Sequence, residues 1–348
     1  MKYYFLDKVS WERSQSLYHA AAHLGREVLF ILRPATPYVC LGFHQDAEQE
    51  IEMQFAKENN IPVFRREVGG GAVYLDGEQL FYQMIIRKDN PNVPHKIAHF
   101  YEKFLAPVVD TYREFGVDAQ YKPINDIIVN SRKISGNGAA EINDMMILVG
   151  NFIMDFDYEM MSKILRVPDE KFRDKVYKTL NENLTTIERE TGDLPMTQAL
   201  GDSLIRRYQD LLGNLEPAEL DNELVSKADE LFDKMYTPEW LYYNDRRRKD
   251  AKEVKISEGV YVIQKMVKTS GGLVRVTATA KDDILRDVHL SGDFFFYPAP
   301  KLADLEAALE GVQYDAGTIE QTIEQFYEQF AIQSPGVTPE DLAEVLTA

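Results

Sequence analysis

Glycine at three consecutive positions, Gly69 to Gly71 in the stretch FRREVGGGAVYLD, denies that segment to the interior of any helix or strand. Each glycine weakens a regular element by roughly 1 kcal/mol relative to alanine. The chain is therefore expected to turn here, between the extended patterns IPVFRRE and AVYLD. A glycine run also lets backbone approach another group closely, and successive N–H groups free of Cβ atoms suit phosphate or carboxylate oxygens. Arg65 and Arg66 precede it; on a strand they point to opposite faces, so one of them is expected to reach a ligand. A tight turn flanked by surface arginines is the alternative. The stretch is neither GxxxxGK[ST] nor GxGxxG, so no P-loop or dinucleotide fingerprint is present.

Around this turn the chain alternates helical and extended patterns. WERSQSLYHAAAHLG reads as an amphipathic helix stopping at glycine, and EVLFILRP and PYVCLGF read as strands. AEQEIEMQFAKENN predicts a helix, and AVYLD and LFYQMIIR two strands joined near Gly77. KIAHFYEKFLAPVVDTYREFG predicts a long helix ending at Gly116, before extended segments in NDIIVNSRKISG and MMILVGNFIMDF. The stretch from about Met160 to Tyr236 is mainly helical, and PEWLYYNDRRRKDAKE breaks that pattern as a linker would. Beyond it, GLVRVTATAKDDILRDVHLSGDFFF alternates as strands, and LADLEAALEG and TIEQTIEQFYEQF are helical. The reading is an α/β (α+β) protein in two domains, residues 1–250 and a smaller α+β domain over 251–348.

PINDIIVNSRKISGNGAA brings a second cluster of polar residues, with Asn125 and Asp126 before an apolar strand and Lys133 in the turn before SGNG. An acid and an amide suit a metal–triphosphate or a nucleobase edge, and a lysine holds phosphate and carboxylate oxygens as a point charge. An ordinary hairpin uses the same residue types. The net charge of −18 argues against nucleic acid and anionic membranes as partners. The one basic run, RRRKDAK from Arg246, is short and reads as a solvated connection. No apolar run approaches the ~20 residues needed to span a bilayer. The N-terminus lacks a signal-peptide core, so a soluble, cytoplasmic protein is expected. Cys40, the single cysteine, excludes an internal disulfide and is expected as a buried thiol. His19/His23 and His95/His99 stand four residues apart, a zinc-compatible spacing without an evident third ligand.

Together, RREVGGGAVYLD and the downstream NDIIVNSRKISGNG resemble the lipoate-protein ligases of the lipoate/biotin ligase superfamily. PEWLYY is similar to a tryptophan-containing segment that closes the ligase domain, and HLSGDFFF, Leu302–Leu309 and EGVQYD resemble the C-terminal accessory domain. The resemblance implies a mixed-sheet ligase domain that activates lipoate with ATP to lipoyl-AMP. The lipoyl group then passes to a lysine of a carrier protein. It implies that Arg66, Gly69, Gly70, Gly71, Ala72, Val73 and Tyr74 line the nucleotide and acyl-adenylate site. Asn125 and Asp126 would contact ATP, Asp126 as a partner for Mg²⁺, and Lys133 would bridge the lipoate carboxylate and the α-phosphate. The implied acceptors are the E2 component of 2-oxoacid dehydrogenases, the glycine-cleavage carrier protein or a sulfur-oxidation lipoate-binding protein.

The chain departs from the family pattern in places. HDxGN reads LDGEQ, with Leu75 for histidine; SGxA reads SGNGAA; and HGT reads VGN, with Val149 for histidine. An octanoyl- or lipoyl-transferase of the same fold is one alternative, but it needs a cysteine nucleophile. A non-catalytic lipoate- or carrier-binding protein is another, and a biotin ligase lacks support because GRGRxGRxW is missing.

Overall fold

Apolar strand segments too short to fold alone pair across large sequence separations to build the sheets. The computed structural model describes residues 1–245, 247 and 260–347. These divide into two units: Met1–Cys40, Ile51–Phe64 and Val73–Thr237 form one, and Leu41–Glu50, Arg65–Ala72 and Pro238–Ala348 form the other. The basic run from Arg246 lies, apart from Arg247, outside the described residues.

In the first unit, β1 (Lys2–Val9) and β2 (Val28–Pro34) run parallel, and β3 (Tyr38–Leu41), β4 (Val63–Arg65) and β5 (Val73–Leu75) form a small separate sheet with β3 in its middle. β6 (Gln79–Arg87) pairs antiparallel with β2, and a three-stranded sheet follows from β7 (Gln120–Lys122), β8 (Asp126–Val129) and β9 (Arg132–Ser135). With β10 (Asn137–Ile142), β11 (Met145–Ile153) and β12 (Glu216–Pro217), the main sheet is six-stranded and mixed, in the order β10-β11-β6-β2-β1-β12. Val28 to Leu32 are all buried, so the middle of this sheet is covered on both faces. Helix Trp11–His23, N-capped by Ser10, packs on β2, and helix Thr197–Leu212 packs on β1. A Cβ on Gly201 would lie 2.2 Å from the Phe5 ring, which is why glycine sits in that helix.

The second unit contains β13 (Val260–Thr269), β14 (Gly272–Lys281) and β15 (Ile284–Gly292), an antiparallel sheet. Its core is Val274, Val276, Leu290 and Phe294 against Leu305 and Ile323 of helices Lys301–Leu309 and Ala316–Phe330. β13 and helix Pro339–Thr347 were not anticipated from the sequence.

Two expectations need correction. The helix read over AEQEIEMQFAKENN is broken into Ala47–Glu50 and Met53–Glu58, because Ile51 forms an isolated bridge with Leu165. Of the linker read over PEWLYYNDRRRKDAKE, the first half is packed structure: Pro238–Leu241 is helical, and Asn244 and Asp245 are buried. Asp245 accepts hydrogen bonds from the N–H groups of Ala47 and Glu48 at 2.7 and 2.8 Å, satisfying the open end of the short helix there. Among the described residues no helix is long and apolar enough to cross a membrane.

Candidate functional site

The β8–β9 hairpin carries the charged pair singled out in the sequence. Val129 pairs with Arg132, leaving the two-residue turn Asn130–Ser131 with φ of 50° and 66°. Both residues sit in the left-handed region that a tight hairpin of this length requires, and asparagine tolerates it well. The turn brings Lys133 back beside the start of β8, where its Nζ lies 2.7 Å from Asp126 Oδ1. The two side chains are 37% and 31% exposed, so the ion pair stands at a surface where a ligand can reach it. Alternation sends the neighbouring Arg132 elsewhere, to Glu190 at 2.6 Å.

Asn125 is half-buried. Its side-chain amide donates to the Asn137 carbonyl at 2.5 Å, and the Asn137 amide donates back to the Asn125 carbonyl at 2.9 Å. The hydroxyl of Tyr82 donates to Asn137 Oδ1. Tyr82 is fully buried, and that burial pushes its phenol well above the ordinary value. Asn151 continues the network, accepting from Gly136 N at 2.8 Å and donating to Gln79 Oε1 at 2.7 Å. Gln79 Nε2 reaches the Tyr74 carbonyl at 3.2 Å and Asp76 Oδ1 at 3.4 Å. A Cβ on Gly150 would fall 2.3 Å from both Asn137 Oδ1 and the Tyr82 hydroxyl, so only glycine fits the VGN position.

Val73 and Tyr74 lie on β5, paired to Cys40 and Val39 of β3. Burial pushes the Tyr74 phenol up to about 12, with Asp76 and Asp157 adding to the rise. Burial likewise pushes the Asp76 carboxyl up to about 6, although hydrogen bonds from Glu78 N and Gln79 oppose it. Leu75, at the histidine position of the family pattern, is buried.

The arginines and glycines belong to the second unit. Arg65 is fully buried and donates to the carbonyls of Gly42, Phe43, Gln45, Trp240 and Leu241, with Asp245 at 3.8 Å. Burial lowers its pKa to about 10, a fall that Asp245 and Asp46 resist. Arg66 Nη2 donates to the carbonyls of Gly69 and Gly71 at 2.7 and 3.0 Å, which curls the loop around the guanidinium. The group lying against the glycines is the chain's own Gly-Asp-Phe-Phe segment. Gly70 N donates to Phe294 O at 3.3 Å. A Cβ on Gly69 would lie 3.0 Å from Phe294 O, and one on Gly70 (φ +89°) 3.0 Å from Phe295 Cζ. Gly71 is looser, with Asp293 Cβ at 3.7 Å, and Ala72 after it is half-buried.

Within the first unit the structure thus brings Asn125, Asp126 and Lys133 together; within the second it gathers Arg66 with Gly69, Gly70 and Gly71. Tyr82, Asn137, Asn151 and Gln79 were missed in the sequence, although a polar side chain at a core-facing strand position was the available signal. Cys40 is buried, as expected, on the middle strand of its small sheet. Among the described residues no group of three or more His, Cys, Asp or Glu side chains is arranged to hold a metal. His19 is buried, with its Nδ1 2.7 Å from the Gln15 carbonyl.

Residues 8–209 match the lipoyl protein ligase A/B catalytic domain, and residues 260–346 match the bacterial lipoate protein ligase C-terminus. The chain is 25% identical over 305 residues to lipoate–protein ligase 1 of Staphylococcus aureus, covering 86% of this chain and 85% of that one. It is 23% identical over 229 residues to the octanoyltransferase LipM of Kyrpidia tusciae, covering 59% and 83%. Among solved structures it is similar to a bipartite lipoate protein ligase of Thermoplasma acidophilum, studied together with its E2 lipoyl domain. That match has a TM-score of 0.63 and 28% identity over 69% of this chain and 95% of that one. It is also similar to an ATP-bound lipoate-protein ligase A, with TM-score 0.58 and 25% identity over 69% and 98%. The chain belongs to the lipoyl protein ligase A/B family and carries the bacterial lipoate protein ligase C-terminus.

Proposed function

We propose that the protein is an ATP-dependent lipoate–protein ligase, with residues 1–250 as the ligase part and 251–348 as its accessory domain. The observation that carries this reading is the half-exposed Lys133 amine, held 2.7 Å from Asp126 at the mouth of a tight hairpin. In the first step a lipoate carboxylate oxygen attacks the α-phosphorus of ATP, and the bond to the bridging oxygen of pyrophosphate breaks. Two anions must meet for that, and Lys133 offsets their repulsion as charge builds on the α-phosphate. Arg66, the glycine run, Ala72, Val73 and Tyr74 are the residues proposed to line the nucleotide and adenylate, and Asn125 to fix the start of the hairpin. Asp126 offers a single carboxylate, which fits Mg²⁺ because that ion draws most of its ligands from phosphate and water. Bound there, Mg²⁺ would supply further charge neutralisation to the triphosphate. In the second step a neutral lysine amine of the acceptor attacks the acyl carbon, AMP leaves with the electron pair of the C–O bond, and the amine loses its proton to solvent.

The occurrence of an octanoyltransferase among the relatives favours a second reading, acyl transfer without ATP. A transferase working through a thioester needs an accessible thiol, and the only cysteine, Cys40, is 1% exposed within its sheet. That burial favours the ligase. The acceptor proposed is a lipoyl-carrier domain, and the setting the cytoplasm. Incubating the protein with ATP, lipoate and apo-carriers from a 2-oxoacid dehydrogenase E2, a glycine-cleavage system and a sulfur-oxidation system, then weighing each carrier, tests this. Lipoyl addition to at least one carrier that requires ATP is expected; addition from an acyl thioester without ATP would favour the transferase.

A further inference from the structure

We infer that Asn137, oriented by Tyr82, is a positioning residue for the Asp126–Lys133 pair. It sets the pair through its reciprocal amide exchange with Asn125. The inference rests on the ligase reading only for its kinetic readout.

The geometry is specific about direction. An asparagine side chain presents one acceptor and one donor end, and swapping them reverses what it can bond. The Tyr82 hydroxyl donates to Asn137 Oδ1, and Ser135 Oγ lies 3.2 Å from the same oxygen, its single proton taken by the shorter bond to Asn151. With its oxygen taken by the Tyr82 hydroxyl, the Asn137 amide nitrogen points away, and it donates to the Asn125 carbonyl at 2.9 Å. Asn125 Nδ2 closes the ring on the Asn137 carbonyl at 2.5 Å. Residue 125 is thus fixed by two bonds, one to its backbone carbonyl and one from its side chain, one residue before the carboxylate that holds Lys133. Tyr82 and Ser135 are fully buried and Asn137 is 7% exposed, so the bond that orients Asn137 is shielded from solvent, while the pair it makes with Asn125 is part-buried. A buried network satisfied at this many points holds one orientation, whereas a partly satisfied one does not. Ser135 Oγ donates to the Asn151 carbonyl at 2.6 Å, tying the end of β9 to β11 of the six-stranded sheet. The hairpin bearing the ion pair is in this way referenced to the rigid sheet rather than left to its own two short strands.

Tyr82→Phe and Asn137→Ala test the chain of control, and Tyr82→Phe keeps the packing volume so that folding is not the variable. Two measurements are made on the full-length protein. In competitive labelling with acetic anhydride, the acylation rate of Lys133 is compared with that of exposed Lys178. It is expected to rise severalfold in both variants as Asp126 releases the amine, while Lys178 stays unchanged. In lipoate-dependent adenylation, kcat is expected to fall at least tenfold in Asn137→Ala and severalfold in Tyr82→Phe, with the KM for ATP and lipoate changed less than threefold. The double variant is expected to be no worse than Asn137→Ala. Wild-type Lys133 labelling in both variants would overturn the inference. Additive kinetic losses, or KM effects without kcat effects, would overturn it as well. A wild-type protein that forms no lipoyl-adenylate would refute the ligase reading alone, since the labelling still decides whether Asn137 positions the pair.

Discussion

Gly70 and Gly71 are neighbours with different reasons to be glycine. At Gly70 the backbone φ of +89° and the Phe295 ring 3.0 Å from a would-be Cβ both act against a side chain. At Gly71 the nearest atoms are at ordinary van der Waals distance. Gly70→Ala is expected to destabilise the protein by about 1–3 kcal/mol, and Gly71→Ala by no more than about 0.5 kcal/mol, as read by urea unfolding. If Gly71→Ala nevertheless weakens ATP binding in calorimetry, the loss comes from ligand space and not from the fold. Asp76 gives a pH signature at the same scale. Its carboxyl is raised to about 6 by burial, so the unfolded chain releases that proton more readily and stability falls as pH rises from about 4 to about 6. Asp76→Asn should therefore stabilise the protein at pH 7 by up to about 2 kcal/mol, and the gain should vanish near pH 4. A gain independent of pH would contradict the assignment.

At the scale of elements, the segment after Thr237 shows how a polar stretch becomes structure. Asp245 closes the short helix Ala47–Glu50 and stands 3.8 Å from the fully buried Arg65 guanidinium. Asp245→Ala should cost about 3 kcal/mol, because it strands a buried charge as well as removing two hydrogen bonds. Asp245→Asn, which loses the charge but keeps an acceptor oxygen, should cost clearly less; equal losses would show that the lost charge, and not the lost acceptor, sets the whole cost. PEWLYYND reads as a linker because burial by pairing leaves no hydrophobic period in the sequence. Strands β2, β6 and β11 were legible for the opposite reason, since their apolar runs are continuous. β13 was not legible because Ile263 is its only fully buried side chain, with Tyr261 and Met266 two-thirds exposed. Of the candidate site, Lys133 and Asp126 are singled out through the family resemblance, with Lys133 read in a turn; they stand on β9 and β8, either side of the turn Asn130–Ser131. The Tyr82–Asn137–Asn125 ring could not be read, because it joins residues 55 and 12 positions apart.

For the whole molecule, the second unit joins the tail to two loops from early in the chain, Leu41–Glu50 and Arg65–Ala72. Gly70 N bonds Phe294 O, and Ser291 Oγ donates to Asp46 at 2.8 Å, so these loops lose their partners if the tail is removed. A chain ending at Arg248 is expected to be cut by protease within those loops. It should form lipoyl-adenylate at least tenfold more slowly, while transfer from prepared lipoyl-adenylate is largely retained. Adenylation at the full-length rate by a folded truncated chain would remove the tail from the first half-reaction.

The central claim is that this chain activates a carboxylate with ATP through Lys133. Exchange of radiolabelled pyrophosphate into ATP measures that step alone, without an acceptor. The account predicts exchange that requires lipoate and that drops by two orders of magnitude or more in Lys133→Ala, the scale of losing a charge stabiliser in a transition state. No exchange by the wild-type protein, or undiminished exchange by Lys133→Ala, would contradict it.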